Sequence, residues 1–205
     1  MREKELRTAV FLDRDGTINE EVPYLNRMEK LRLIPGAAEA IRRINESGMM
    51  AVVVTNQSGV ARGLFDEAFV KKTNAYLQDI LRAEGALIDA FYFCPHHPTE
   101  GKGIYLQTCR CRKPAPGMLL RAAEELGIDL NHSYMVGDML QDIEAGMRAG
   151  TRGVLVRTGN GEESVAALTA GSESGDGSTT QPVCIAADLR QAVAWILEDR
   201  KESGR

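Results

Sequence analysis

The feature that most constrains the fold is the alternation of short apolar runs with helical patterns along the chain. The run at 50–54 is rich in valine and shows no polar alternation, as expected for a strand covered on both faces. Similar strand patterns occupy residues 8–12, 88–93, 134–136, 152–156 and 183–185. Strands that alternate with helices at this spacing predict an α/β fold with a doubly wound, mostly parallel sheet.

Start and stop signals predict helices between these strands. Gly36 precedes the first helix, Asp66 is the expected N-cap of the second, and Pro116 begins the third. The predicted helices cover residues 36–48, 66–85, 116–127, 142–149 and 189–197. Residues 169–181 are small, polar and rich in glycine and serine, which predicts a flexible surface loop.

Length and charge limit the classes of protein to which this chain can belong. Its 205 residues, 43% of them apolar, suit a single globular domain spanning 1–205. The longest unbroken apolar run, at 49–54, is too short for a membrane span, and no secretory signal pattern is found. We therefore expect a cytoplasmic monomer with no membrane partner. The formal net charge of −4 argues against non-specific binding to nucleic acid.

Polar side chains follow four of the predicted strands, where the chain leaves the sheet. They are Asp13 and Asp15 after the first strand, Thr55 and Asn56 after the second, Arg112 and Lys113 after the third, and Asp138 and Asp142 after the fourth. Because ligands bind beyond the carboxyl ends of parallel strands, we expect these side chains to converge at one edge of the sheet.

These residue types suit the transfer of a phosphoryl group. Asp13 and Asp15 point the same way in an extended segment, and Asp138 can approach them from another strand. Crowded carboxylates repel unless a divalent cation lies between them, and oxygen ligands suit Mg²⁺. One aspartate can attack phosphorus and another can transfer protons, while Lys113 balances the negative charge. Asp142 has two interpretations, as a helix cap or as a residue that orients Lys113 or a metal-bound water.

A cluster of cysteines and histidines lies within residues 94–111. The four candidate zinc ligands are Cys94, His96, Cys109 and Cys111. They are ligand types that tetrahedral zinc prefers, although the one-residue spacing within each pair is tighter than usual. His97 is the alternative to His96. Because four protein ligands leave no position for water, the predicted Zn²⁺ is structural, and it orders the loop that presents Arg112 and Lys113.

Four segments, in this order, resemble the motifs of the haloacid dehalogenase superfamily of phosphatases. They are Asp13-x-Asp15-Gly-Thr17, Thr55-Asn56, Lys113-Pro114 and Gly137-Asp138-x-x-x-Asp142. The resemblance covers residues 8–157 and implies the Rossmann-like fold of that superfamily. Only about 35 residues separate the first two strands, so we expect no large cap domain there.

The resemblance also implies the roles of the site residues. Asp13 is expected to be the nucleophile that forms a phosphoaspartyl intermediate, and Asp15 the general acid and base. Mg²⁺ is expected to bind to Asp13, to the backbone of Asp15 and to Asp138. The residues expected to contact substrate phosphate are Thr55, Asn56, Arg112 and Lys113. Residues 21–24 are expected to form a substrate-facing flap.

Within the superfamily, the segments 11–19, 55–63, 94–98 and 109–114 resemble the heptose bisphosphate phosphatases and the histidinol-phosphate phosphatases. The resemblance implies hydrolysis of the 7-phosphate of a heptose bisphosphate, on the way to nucleotide-activated heptose for surface polysaccharide. Met139 stands where the heptose enzymes carry a lysine, which leaves the substrate anomer open.

The residues leave open three alternatives to this substrate and function. Histidinol phosphate is the alternative substrate. A nucleic-acid 3′-phosphatase has similar motifs but needs a basic, aromatic-lined channel, which 5% aromatic residues and a net charge of −4 do not favour. A catalytically silent, zinc-stabilised binding module is the alternative from a different class, and the intact acidic and basic positions argue against it.

Overall fold

A six-stranded parallel sheet forms the centre of the molecule. The computed structural model describes residues 6–22, 25, 27–174 and 181–203. The strands are β1 (Ala9–Leu12), β2 (Met50–Asn56), β3 (Ala90–Cys94), β4 (Tyr134–Gly137), β5 (Arg152–Val156) and β6 (Cys184–Ala186). Their order in the sheet is β3-β2-β1-β4-β5-β6. The helices are α1 (Ala37–Glu46), α2 (Glu67–Ala83), α3 (Gly117–Leu126), α4 (Leu140–Ala149), α5 (Gly161–Ser174) and α6 (Leu189–Glu202). The predicted α/β fold is confirmed.

Helices cover both faces of the sheet and produce two apolar clusters. In β1, Val10 and Leu12 pack into one cluster with residues of α1, α2 and α6, whereas Phe11 packs into the other with residues of α3 and α4. Successive side chains of a strand point to opposite faces, so the run at 50–54 contributes to both clusters. Burial on both faces explains why this run has no polar position.

Local signals set the start of α2 and the end of α3 as predicted. The carboxylate of Asp66 accepts a 2.7 Å hydrogen bond from the backbone N–H of Phe69 and caps α2. Gly127 ends α3 with a φ of 68°, a conformation that glycine adopts without steric cost. In the described part of the chain between β1 and β2, α1 and one short turn (Met28–Lys30) are the helical elements, so no large cap is inserted there.

The chain between β5 and β6 differs from the prediction. No helix is predicted before the loop at 169–181, yet α5 begins at Gly161 and includes residues 169–174. The segment at 162–168 is rich in glutamate and alanine, which favour a helix, and each further residue adds a hydrogen bond to a helix already begun. The small residues at 169–174 therefore continue α5. Residues 175–180 of the predicted loop lie outside the described residues.

The ends of several elements also differ from the prediction. β2 continues through Asn56, β4 continues through Gly137, and α6 extends to Glu202. β3 begins at Ala90 rather than at residue 88. No helix in the described ranges is both long enough and apolar enough to span a bilayer.

Candidate active site

The carboxyl ends of β1, β2 and β4 lie side by side and carry the predicted catalytic residues. Leu12, the last residue of β1, is in register with Val53 of β2 and Val136 of β4. Asp13 continues this alignment, because its N–H donates a 2.9 Å hydrogen bond to the carbonyl of Val136. The sheet thereby brings Asp13 close to Asp138, as the strand-end argument predicts.

Lys113 lies in the interior, where its ammonium group contacts three acceptors. Its Nζ lies 2.7 Å from Asp13 Oδ1, 2.7 Å from Asp142 Oδ1 and 2.8 Å from the carbonyl oxygen of Val54. Burial by itself lowers the pKa of Lys113. The two carboxylates raise the pKa by more than burial lowers it, so the net pKa lies above the usual value for lysine. Lys113 therefore remains a cation inside the protein.

Asp142 makes the contacts of both predicted roles, as a helix cap and as a partner of Lys113. Its Oδ1 pairs with Lys113, and its Oδ2 accepts a 3.0 Å hydrogen bond from the N–H of Met139 at the start of α4. The same carboxylate thus caps a helix and orients Lys113.

Crowding and burial make the remaining carboxylates basic. Burial raises the pKa of Asp13 to about 6, because the opposing effect of Lys113 is only partial. Burial and the nearby charge of Asp13 raise the pKa of Asp138 to about 7. Both groups are therefore poised to exchange protons for a cation.

The donor set fits a divalent metal ion. Ligand atoms of Asp13, Asp138 and Asp142 all lie within 4.8 Å of one another. Asp138 Oδ1 is buried and has no hydrogen-bond partner among the described residues. An orphaned carboxylate oxygen in a cluster of acidic oxygens is suited to Mg²⁺. Both oxygens of Asp142 are engaged, by Lys113 and by the N–H of Met139, whereas Lys113 engages only Oδ1 of Asp13, which leaves Asp13 and Asp138 as the available side chains.

The carboxylate of Asp15 lies outside this cluster and is held by four hydrogen bonds. Arg14 donates to both of its oxygens, at 3.2 and 2.6 Å, and Asn19 and Gln57 each donate at 2.9 Å. Burial raises the pKa of Asp15, but the Arg14 guanidinium and these hydrogen bonds outweigh burial and lower it below the usual value. Arg14 is itself buried and also donates to Asn74 of α2 at 3.1 Å.

The other predicted phosphate-binding residues take different positions. Thr55 is buried, and its hydroxyl accepts a 2.9 Å hydrogen bond from Gln57. Asn56 exchanges two 3.1 Å hydrogen bonds with the backbone of Lys113, so its amide is committed to positioning that residue. Arg112 donates to the carbonyl of His96 at 3.2 Å.

The four predicted zinc ligands converge. The Sγ atom of Cys111 lies 3.2 Å from the Sγ atoms of both Cys94 and Cys109, which are 3.5 Å apart. His96 Nδ1 lies 3.6 Å from Cys94 Sγ and 3.4 Å from Cys111 Sγ. A tetrahedron with ~2.3 Å zinc–sulfur bonds has edges of roughly 3.7 Å, so this cluster has suitable dimensions. His97 Nδ1 instead accepts from backbone N–H groups at residues 99 and 100, and the geometry favours His96.

A cleft of about 260 Å³ leads to Asp15 from the surface. Glu21 and Val22, from the predicted flap at 21–24, line this cleft together with Phe65. Burial, together with the charges of Asp15 and Asp13, raises the pKa of Glu21 to about 7. Residues 23 and 24 of the flap lie outside the described residues.

Three residues that follow β5 lie against the acidic site, and they are not among the residues predicted from the sequence. Thr158 donates a 2.6 Å hydrogen bond to the carbonyl of Gly16, and Asn160 donates to Asp138 Oδ2 from its backbone N–H at 2.8 Å. Gly159 lies between them. The polar segment 158–161 follows a strand that ends at the same sheet edge, so the strand-end argument, if extended to this fifth strand, would have found it.

Comparisons with known proteins find relatives that match most of the chain. A D-glycero-D-manno-heptose-1,7-bisphosphate 7-phosphatase from Thermosynechococcus vestitus is 43% identical over 194 residues, which cover 93% of this chain and 95% of that relative. A D-glycero-beta-D-manno-heptose-1,7-bisphosphate 7-phosphatase from Pasteurella multocida is 46% identical over 155 residues, covering 75% of this chain and 84% of that relative.

The structural comparison extends over nearly the whole chain. A crystal structure of D,D-heptose 1,7-bisphosphate phosphatase from B. bronchiseptica, complexed with magnesium and phosphate, has a TM-score of 0.80 and 33% sequence identity. The match covers 94% of this chain and 99% of that chain. A sequence model of the haloacid dehalogenase-like hydrolases matches residues 3–150, which is more than half of the chain. The protein with this buried carboxylate cluster therefore belongs to the haloacid dehalogenase-like hydrolase family.

Proposed function

We propose that this protein hydrolyses the 7-phosphate of D-glycero-D-manno-heptose 1,7-bisphosphate. The observation that carries the proposal is the 43% identity with the Thermosynechococcus vestitus enzyme of that name, which extends over 93% of the chain. The site supplies the required groups, since it combines a buried nucleophile candidate, Asp13, with a second carboxylate, Asp15, at the end of an open cleft.

In the first half of the proposed reaction, Asp13 attacks phosphorus. Its Oδ1 accepts a hydrogen bond from Lys113, so Oδ2 is the oxygen left to form the new bond. The bond between phosphorus and the C7 oxygen breaks, and Asp15 gives its proton to the departing oxygen. The heptose 1-phosphate leaves, and the phosphoryl group remains on Asp13.

In the second half, water releases the phosphoryl group. Asp15, now a carboxylate, takes one proton from the water, whose oxygen attacks phosphorus. The bond to Asp13 breaks, and inorganic phosphate forms. The hydrogen bonds from Arg14, Asn19 and Gln57 favour this carboxylate form of Asp15.

The acid form of Asp15 requires a change in its surroundings. The Arg14 guanidinium lowers the pKa of Asp15 in the substrate-free site, after burial has raised it. A phosphate dianion bound nearby adds negative charge and raises the pKa of a neighbouring carboxyl group. Substrate binding therefore favours the protonated form of Asp15 needed for the first half of the reaction.

We assign the Mg²⁺ site to Asp13, Asp138 and the backbone of Asp15. The buried Asp138 Oδ1, which lacks a hydrogen-bond partner in the described ranges, supports this assignment. When bound, Mg²⁺ supplies positive charge that offsets the carboxylates and the negative charge of the phosphoryl group. Lys113 contributes a fixed cation that contacts Asp13. Thr55 and Arg112 complete the proposed phosphate contacts.

A structural Zn²⁺ is proposed for the cluster of Cys94, His96, Cys109 and Cys111. The short distances among their ligand atoms support a tetrahedral site, and four protein ligands leave no open position for water. Arg112 and Lys113 directly follow Cys111, so the ion orders the segment that carries both cations. None of the four cysteines, all of which the structure describes, forms a disulfide, which suits the reducing cytoplasm in which we place the protein, as a monomer.

The substitution Asp13→Asn tests the reaction. It removes the attacking carboxylate, so we expect phosphate release from the heptose bisphosphate to fall by at least about 10³-fold. The matched control is Asp79→Asn, at an exposed position of α2, which should retain the wild-type rate. An unchanged rate in the Asp13 variant would leave only a zinc-stabilised binding module.

A substrate panel for the wild-type protein tests the specificity. The α and β anomers of the heptose bisphosphate, histidinol phosphate and a 3′-phosphorylated oligonucleotide are compared by kcat/KM. We expect a heptose bisphosphate anomer to be preferred. Met139 is partly exposed next to Asp138 and stands where the heptose enzymes carry a lysine. The comparison of anomers therefore shows which anomer is used in the absence of that lysine. Preference for histidinol phosphate or for the oligonucleotide would replace the proposed substrate.

A further inference from the structure

The loop between β5 and α5, residues 157–160, contacts both the loop that follows β1 and the loop that follows β4. The reaction described above gives this loop no role. Thr158 Oγ1 donates a 2.6 Å hydrogen bond to the carbonyl of Gly16, in the loop after β1. The backbone N–H of Asn160 donates a 2.8 Å hydrogen bond to Asp138 Oδ2, and its side-chain Nδ2 contacts the same oxygen at 3.2 Å. One short loop therefore contacts the segments that follow both β1 and β4.

The packing at this junction leaves no space for a side chain on Gly159. This glycine has a φ of +57°, and a Cβ atom built on it would overlap Asp138 Oδ2 and the Cα atom of Gly16. Gly16, with a φ of +81°, is under the same restriction, because its Cβ would overlap the Asp138 carboxylate. Both positions combine a left-handed backbone with close contact to one carboxylate.

The two oxygens of Asp138 have different surroundings. Oδ2 accepts both hydrogen bonds from Asn160, whereas Oδ1 is buried with no hydrogen-bond partner in the described chain. The backbone is fixed as well, because Ser164 Oγ donates a 2.8 Å hydrogen bond to the carbonyl of Asp138. Rotation of the carboxylate would break the contacts of Oδ2, so the loop leaves Oδ1 as the oxygen available to a ligand.

We propose that Gly159 and Asn160 are positioning residues for the divalent cation, acting by holding Asp138 so that Oδ1 alone is presented to the ion. The inference rests on the proposed function, because it assumes that the acidic cluster binds Mg²⁺. Partners that hydrogen-bond to a ligating carboxylate orient it, and their loss typically weakens metal binding by about 10–100-fold.

Calorimetric titration of the zinc-loaded, Mg²⁺-free protein with Mg²⁺, in the absence of substrate, tests the proposal. Asn160→Ala removes the side-chain donor and keeps the backbone N–H, so we expect the Kd for Mg²⁺ to rise by about 10-fold. Gly159→Ala displaces Asp138 by steric overlap, so we expect a rise nearer 100-fold. The melting temperature of each zinc-loaded variant without added Mg²⁺ is measured alongside.

Two controls separate metal positioning from a general effect on the fold. Gly48→Ala imposes the same backbone strain, with a φ of +80°, but its Cβ would meet no atom within 4 Å, so it should lower the melting temperature and leave the Kd unchanged. Arg157→Gln alters a side chain of the same loop that pairs with Glu162 at the surface, and its Kd should also be unchanged.

The outcomes distinguish the two levels of the proposal. Raised Kd values for Asn160→Ala and Gly159→Ala, with wild-type values for both controls, support it. If the wild-type protein binds Mg²⁺ and both loop variants bind it equally well, the positioning role is wrong and the proposed function stands. If the wild-type protein does not bind Mg²⁺, the metal-dependent function is wrong and the inference is overturned with it.

Discussion

Lys113 shows how the charges of single residues are balanced inside this protein. Its ammonium group contacts Asp13 and Asp142, while Asp138 lies in the same cluster without a cationic partner in the described ranges. Three buried carboxylates and one ammonium leave an excess of about two negative charges when all are ionised. Removing such charge from water is unfavourable unless it is paired, so the site favours either protons or a divalent cation.

The Mg²⁺-free protein should therefore lose stability as the pH rises from about 4 to about 7. Burial raises the pKa of Asp13 from 3.8 to about 6 and that of Asp138 from 3.8 to about 7. A group with a raised pKa in the folded state contributes stability that is complete below its unfolded pKa and is lost as pH rises through its folded pKa. Bound Mg²⁺ replaces those protons and should flatten the profile.

Melting temperatures of the zinc-loaded protein across this pH range, without Mg²⁺ and in excess Mg²⁺, check this expectation. Asp138→Asn removes one of the titrating groups, so its profile without Mg²⁺ should be shallower than that of the wild type. Parallel profiles with and without Mg²⁺ would show that the acidic cluster does not couple protons to metal binding.

At the level of whole elements, two separate parts of the chain place Lys113. Asn56, the last residue of β2, binds its backbone through two hydrogen bonds. The Cys/His cluster is the second part, since its member Cys111 is two residues before Lys113 in the chain. Sheet and cluster together therefore hold a lysine that belongs to no helix or strand.

The substitution Cys111→Ser should release zinc and disorder the segment before Lys113. We expect the zinc content, measured by elemental analysis, to fall, and kcat/KM to drop by about 10–100-fold. Cys184→Ser is the matched control, because Cys184 lies in the edge strand β6 away from the cluster and should keep both values. Full activity in a zinc-free Cys111 variant would contradict the proposed link between the ion and the lysine.

At the scale of the whole molecule, the two ends of the sheet carry different contacts. The carboxyl end holds the acidic cluster, whereas Tyr134 and Arg152 begin β4 and β5 at the opposite end. There Asp199 of α6 accepts a 2.6 Å hydrogen bond from the Tyr134 hydroxyl and pairs with Arg152 at 2.6 Å. This cluster attaches α6 to the sheet at a distance from the proposed chemistry.

Asp199→Ala should lower stability without changing catalysis. It removes the acceptor shared by two donors, and we expect the free energy of unfolding to fall by about 2 kcal/mol in urea denaturation. The value of kcat/KM should stay at that of the wild type, and Glu198→Ala, at an exposed neighbouring position, should change neither quantity. A loss of activity at low temperature in the Asp199 variant would show that the two ends of the sheet are coupled.

The fold and most of the site follow from local patterns in the chain. Strand and helix periodicities predict the parallel sheet, because burial on both faces requires unbroken apolar strands such as the run at 50–54. Parallel strands place their carboxyl ends together, so Asp13 and Asp138 are expected to be neighbours although they lie far apart in the sequence. The clustering of three cysteines and His96 within residues 94–111 likewise predicts their convergence.

Side-chain partners, by contrast, depend on distances between segments that no periodicity specifies. Position in the chain cannot show that Asp142 both caps α4 and pairs with Lys113, or that His96 rather than His97 faces the thiols. The contact of Asn160 with Asp138 arises only because β5 pairs with β4 and the two strand ends become adjacent. Local sequence thus specifies which residues reach the catalytic edge, while the packing of the strands sets which atoms meet there, because hydrogen bonds and charge pairs require an accuracy of tenths of an ångström.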